Sequence, residues 1–129
     1  MQQAEAKGVR LVTEFPNIEE DNLLKHSPWL YADEHRIMQV LLNLQSNALK
    51  FTAAGSVKVR VSIQADGDDQ DLVVSVSDTG TGISEANQAR LFKLFGFIEE
   101  TQEINTNGIG LGLAICKMIV EQYGGSITV

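Results

Sequence analysis

The chain has 129 residues, 10 Lys+Arg against 17 Asp+Glu, and a formal net charge of −7. That length suits one domain over residues 1–129, and the acidic balance argues against nucleic acid, whose phosphates are held by an excess of Lys and Arg. Apolar residues at 43% and charged residues at 21% exclude a disordered composition. No apolar run approaches the length of a membrane span, the N-terminus lacks the apolar core of a signal peptide, and a lone Cys116 excludes an intrachain disulfide.

Along the chain, VRLVTEF (Val9–Phe15) reads as a short strand closed by Pro16. The polar stretch Asn17–His26 reads as loop, Pro28–Tyr31 as a brief strand, and Trp29 as a packer of the core edge. Asp33 suits the N-cap of a long helix from Glu34 to Phe51. Two strands are expected at Ser56–Ile63 and Leu72–Ser77, joined by the hairpin linker QADGDDQ. Ser84 suits the N-cap of a helix running to Phe95, where Phe92 and Phe95 at i and i+3 form an apolar stripe. The polar stretch Gly96–Asn107 breaks all periodicity. A last helix opens inside GIGLGL, carries Cys116 as a core thiol, and stops at Gly124; GSITV then begins a further strand that Val129 cuts short.

At about 100° per residue, Ile37, Leu41, Leu44 and Ala48 fall together on the long helix, and Met38, Leu42 and Leu49 form a second apolar group. Gln39, Asn43, Asn47 and Lys50 share one polar stripe, with Ser46 at its edge. A helix apolar over most of its circumference is expected to be mostly buried, so the stripe faces either water or a ligand. Asn is a mediocre helix former. A pair at i and i+4 offers amide oxygens to a hard cation, and Lys50 a turn further on can meet an anion.

In the strand ending at Asp78, the carboxylate shares parity with Leu72, Val74 and Val76 and so arrives on the apolar face. It either caps its own turn or accepts a hydrogen bond from a ligand amine such as that of adenine. Gly80 and Gly82 follow where the chain turns tightly. The second glycine cluster, Gly108, Gly110 and Gly112, leads into a helix, where backbone amides can receive phosphate oxygens or the glycines can act as a plain hinge. No Gly-Lys-Ser/Thr follows, so it is not a Walker loop.

In this order, QVLLNLQSNALKFT (Gln39–Thr52), DTGTGI (Asp78–Ile83), LFKLF (Leu91–Phe95) and GIGLGLAI (Gly108–Ile115) resemble the N, G1, F and G2 boxes of the ATP-binding catalytic domain of sensor histidine kinases. That family lies within the gyrase, chaperone, histidine kinase and mismatch-repair ATPase superfamily. The resemblance implies an α+β fold: a two-layer α/β sandwich with a mixed sheet packed against three helices, here lacking its last strand. It implies Mg²⁺ and ATP as ligands, with Asn47 on the metal and Asn43 supporting it, Lys50 on a phosphate, and Phe51 against adenine. Asp78 would accept the adenine amine, Gly80, Gly82 and Ile83 would shape the base pocket, and Gly108, Gly110, Leu111, Gly112 and Leu113 would approach the nucleotide. Gly96–Asn107 would be a mobile lid over it. Implied partners are a histidine phosphoacceptor and dimerisation domain and, downstream, a response-regulator receiver domain; the implied location is a cytoplasmic domain of a larger protein.

The chain departs from the family pattern at Leu94, where Pro is common, and at Gln45, where an apolar residue is usual. Neither His26, followed by Ser27, nor His35, followed by Arg36, suits a phosphoacceptor, which the family follows with an acidic residue. Asn43 stands where the hydrolysing members of the superfamily carry Glu, which favours transfer over hydrolysis. A nucleotide-binding regulatory module that transfers nothing, or another ATPase of the superfamily, are the alternatives.

Overall fold

The computed structural model describes residues 2–16, 32–89, 92 and 109–129. The strand expected at Pro28–Tyr31, Trp29, and the polar stretches Asn17–His26 and Gly96–Asn107 lie outside the described residues.

The described chain runs α1 (Gln2–Lys7), β1 (Arg10–Glu14), α2 (Glu34–Phe51), β2 (Ser56–Asp66), β3 (Asp69–Asp78), α3 (Glu85–Gln88) and α4 (Ile109–Gln122). The strands form one mixed sheet in the order β1-β2-β3. β1 runs parallel to β2 with Arg10 beside Ser56, and β2 runs antiparallel to β3 with Val57 opposite Asp78. The parallel pair is possible because the long connection between β1 and β2 carries α2 across one face of the sheet.

α2 begins and ends where the sequence places it. Asp33 is extended, and its Oδ1 accepts from His35 N at 2.9 Å, satisfying one of the helix's orphan donors. The carbonyls at the other end are also satisfied. Ala48 O accepts from the buried Thr52 hydroxyl at 2.8 Å, Leu49 O from Lys7 Nζ at 3.0 Å, and Phe51 O from Thr81 N at 3.3 Å. Three separate parts of the chain thus fix where α2 stops. The last helix, α4, stops at Gly124 as expected: with φ of 74° it lets Gly124 N reach Glu121 O and Gly125 N reach Val120 O, a Schellman pair.

The inner sheet face packs on the C-terminal half of α2, where Val57, fully buried, meets Val9, Ala48 and Leu49, flanked by Leu11 and Val76. The flank of α2 receives α4 through Val40, Cys116 and Ile119, and through Leu113 against Leu44, Phe51 and Phe92. Cys116 is the expected core thiol, and burial pushes its pKa above the ordinary 9.0, outweighing the opposing effect of a backbone hydrogen bond.

Four expectations are corrected. The linker QADGDDQ is mostly strand: Gln64 pairs with Asp71 and Asp66 with Asp69, leaving a two-residue turn at Gly67 and Asp68. Gly67 has φ of 61°, as a primed hairpin turn needs at its first central position, and a hairpin in solvent tolerates polar side chains on both strands. The helix from Ser84, which is indeed its N-cap, spans only Glu85–Gln88 among the described residues, with Ala89 and Phe92 in turns. The segment GSITV forms no strand; Ile127 instead packs on the Val40, Cys116 and Ile119 cluster. Finally, α2 is not buried around most of its circumference, since Met38 is 46% and Leu42 57% exposed. Among the described residues, the sheet covers the C-terminal half of that face, at Leu49, and α4 covers the opposite flank.

Candidate functional site

The polar stripe of α2 runs beside the flank that α4 covers. Asn43 and Asn47 are half-buried there, and Lys50 lies at the exposed edge. Asn47 Nδ2 donates to Asn43 Oδ1 at 3.5 Å, the outer limit for such a bond. The two amides one helical turn apart therefore touch and orient each other. Val40, on the wheel just beyond the stripe, anchors the helix against Cys116 and Ile119, so the stripe is held rather than splayed into solvent.

Against this stripe sits the backbone of α4. Gly112 is buried, and a Cβ there would collide with the Asn43 amide, lying 2.7 Å from Nδ2 and 2.9 Å from Cγ. The glycine is needed because the helix backbone passes directly over the side chain. The next residue, Leu113, packs on Phe51 and Leu44. Gly110 and Leu111 lie in the first turn of α4, which starts at Ile109; Gly108 lies outside the described residues. The N-terminal turn of a helix, with its unpaired N–H groups and positive dipole end, is thus brought to the Asn pair.

The third wall is the turn after β3. Asp78 stands opposite the buried Val57, so it does sit on the inner face, but at the rim and exposed rather than enclosed. Its Oδ1 accepts from Gly80 N at 2.9 Å, closing an Asx turn. The turn-capping role and the ligand role need not compete, since a carboxylate has about four acceptor sites and this bond occupies one. Gly80 has no room for a side chain: a Cβ would lie 2.8 Å from the Phe51 carbonyl carbon and 2.9 Å from Asp78 Oδ1. Gly82 takes a left-handed φ of 70°, and Ile83 is 42% exposed while its carbonyl accepts from Gln88 Nε2.

Phe51 joins the three walls. Its ring packs with Leu113, and its carbonyl receives Thr81 N. The side chain expected to lie against adenine is thus itself part of a protein cluster, with Leu44 and Leu113. Sequence reasoning missed Thr52, Thr79 and Lys7, which fix the end of α2 and the end of β3. Lone threonines and a lysine in a surface helix carry no signal of that kind. The nearest hint was the close spacing of Phe51, Thr52 and Gly55 before a strand.

Chemically, two neutral amide oxygens suit a hard cation that retains most of its waters and takes its charged ligands from a bound anion. Lys50 and the α4 N-terminus suit that anion. A carboxylate beside tight glycines suits a donor on a flat ring.

Residues 32–129 match the model of the family described as histidine kinase-, DNA gyrase B- and HSP90-like ATPase. The non-motile and phage-resistance protein of Caulobacter vibrioides is 42% identical over 95% of this chain and 14% of its own length. The virulence sensor protein BvgS of Bordetella pertussis is 42% identical over 96% of this chain and 10% of its own. The chain therefore spans a small part of these relatives. Among solved structures, full-length ShkA in complex with AMPPNP superimposes with a TM-score of 0.64 at 33% identity, over 95% of this chain and 22% of that one. The catalytic domain of the histidine kinase ThkA, free of nucleotide, gives 0.59 at 25% identity over 95% of this chain and 68% of that one.

Proposed function

The chain belongs to the histidine kinase-, DNA gyrase B- and HSP90-like ATPase family, and on that premise we propose that it binds Mg-ATP and supplies the γ-phosphate to a histidine on a separate phosphoacceptor domain. The observation that carries this is the convergence of the Asn43–Asn47–Lys50 stripe, the Gly112 backbone and the Asp78–Thr81 turn around Phe51.

Asp78 accepts the exocyclic amine of adenine, and Gly80, seated against the Phe51 carbonyl, holds that carboxylate in its turn; Ile83 offers exposed apolar surface beside it. Asn47, oriented by Asn43, holds the magnesium ion, which when bound neutralises phosphate charge. Lys50 and the first-turn amides of α4, at Gly110, Leu111 and Gly112, hold phosphate oxygens. The chemistry asked of the protein is then positioning and charge stabilisation. The residue one turn before Asn47 is an amide and not a carboxylate, so the chain lacks a general base there for activating water. Transfer to an imidazole, an acceptor that is already nucleophilic, is favoured over hydrolysis. The acceptor domain and a receiver domain downstream belong to the proposed two-component context, as does a cytoplasmic position, where ATP is plentiful. Among the described residues no helix is long and apolar enough to cross a membrane.

Calorimetric titration with ATP and GTP, in Mg²⁺ and in EDTA, tests the binding half of this proposal. ATP binding that is weaker in EDTA, and exceeds GTP binding, is the expected result. Equal affinity for ATP and GTP contradicts the Asp78 contact, because guanine presents a carbonyl where adenine has its amine.

A further inference from the structure

Between Asp78 and Gly80 stands Thr79, whose side chain does something a turn residue need not do. Val57 and Asp78 are the last paired residues of the β2–β3 ladder, so Ser56 and Thr79 come next. Thr79 N donates to Ser56 O at 3.1 Å, as an antiparallel pair requires. The reciprocal bond, from Ser56 N to the Thr79 carbonyl, is replaced: Ser56 N donates to Thr79 Oγ1 at 3.0 Å. The hydroxyl stands in for its own residue's carbonyl, and the main chain is free to leave the ladder immediately after Asp78.

Neighbouring residues are shaped around this substitution. Gly55 has φ of 117°, a region that side chains rarely adopt, and a Cβ there would run into Thr79 Oγ1. Gly55 O in turn accepts from Arg10 N at 3.0 Å, so the clasp is anchored to β1 as well. On the far side, the released chain seats Gly80 against the Phe51 carbonyl and lets Thr81 N donate to it. The Asp78 carboxylate is thus tied directly by Gly80 N, while the backbone that follows it is tied to Ser56 by the Thr79 hydroxyl.

We infer that Thr79 is a positioning residue for base recognition, its hydroxyl terminating the β2–β3 ladder so that Asp78 is aimed at the ring amine of the nucleotide. This rests on the proposed nucleotide site. A ladder continued through the Thr79 carbonyl would carry the chain straight on from Asp78, and Gly80 could not both cap the carboxylate and meet the end of α2.

The test uses Thr79→Val, which keeps the branched shape without the hydroxyl acceptor, and Thr79→Ser, which keeps the hydroxyl. ATP and GTP affinities are measured by calorimetry, and exchange of the Ser56 and Gly80 amides by NMR. Thr79→Val is expected to lower ATP affinity roughly fivefold to tenfold, the size of one lost hydrogen bond. It is also expected to bring the ATP-to-GTP ratio toward one and to speed exchange at both amides. Thr79→Ser restores all three. A Val variant that loses thermal stability but keeps the wild-type ATP-to-GTP ratio shows a structural role alone and overturns the inference. Wild-type protein that binds ATP and GTP alike overturns the adenine assignment itself, and the inference with it. Should the Val variant not fold, Thr79→Ala is read by the same criteria.

Discussion

Gly112→Ala places a methyl group where the Asn43 amide now lies. The new Cβ would stand 2.7 Å from Nδ2, 2.9 Å from Cγ and closest of all to Oδ1, so the amide has to withdraw by about 1 Å to reach the ordinary separation of about 3.5 Å. Its contact with Asn47, already at 3.5 Å, cannot survive that shift. Magnesium tolerates little misplacement of its ligands, and loss of a group that orients a metal ligand weakens metal affinity about 10-fold to 100-fold. Stability should fall by about 0–2 kcal/mol, because replacing Gly by Ala inside a helix gains about 1 kcal/mol against an overpacking cost of about 1–3 kcal/mol. The assay is ATP titration in Mg²⁺ and in EDTA, with a thermal melt of each variant. The expected outcome is an affinity loss of about 10-fold to 100-fold in Mg²⁺ and within about twofold in EDTA. In an Asn43→Ala background the methyl has room, so Gly112→Ala should then cost little more. An intact helix with unchanged magnesium dependence, or an equal loss with and without the ion, would refute the reasoning.

Asp78→Asn should weaken ATP binding by about 1.5–3 kcal/mol, the worth of a charge-assisted hydrogen bond, while the amide oxygen still caps Gly80 and keeps the melting point near that of the parent. Leu49→Ala should cost about 2–5 kcal/mol of stability in denaturant titration, because Leu49 is 4% exposed against Val9, Ala48 and Val57. Cys116 should resist thiol reagents at pH 8 until the protein unfolds, since burial holds the thiol protonated and enclosed. Because its folded pKa lies above that of the unfolded chain, its contribution to stability is present in full at neutral pH and is lost as pH rises past 9.0. Denaturation at pH 7 and pH 10 of the protein and of Cys116→Ala measures that difference; equal pH slopes for the two would show that the thiol is not its source.

The main elements could be read from the sequence where a local chemical signal coincided with a change in periodicity. Asp33 before the long apolar repeat, Ser84 before Glu85, and Gly124 after Gln122 are such places, and each cap is formed as the residue type requires. The turn at Gly67 was obscured because Asp and Gln are usual in loops, whereas here they extend two solvent-exposed strands. The exposure of Met38 and Leu42 could not be read from a wheel. Periodicity reports which residues share a face and not how far along the helix its cover extends. Asn43, Asn47, Asp78 and the glycines stood out by being ill suited to their local elements. Thr79 and Thr52 did not, because a threonine near a strand end is unremarkable until its hydroxyl is seen to take a backbone group's bond. The seating of Gly112 on Asn43 is a contact between distant segments and has no local signature.

Phosphoryl transfer in trans tests the central proposal most directly. The chain is incubated with γ-labelled ATP and Mg²⁺, alone and with a separate helical hairpin that presents a histidine followed by an acidic residue; the label is then tested for acid lability and base stability. Neither histidine of the chain is expected to accept the phosphate. The side chain of His35 is 98% exposed at the first turn of α2, roughly 18 Å along the helix from Asn47 at about 1.5 Å per residue, and His26 is followed by Ser27-Pro28 with no acidic neighbour. The predicted result is acid-labile, base-stable label on the hairpin histidine, lost with Asp78→Asn or Asn47→Ala, and none on the chain alone. Stoichiometric label on His26 or His35, or ATP binding with no transfer to any such hairpin, would contradict it.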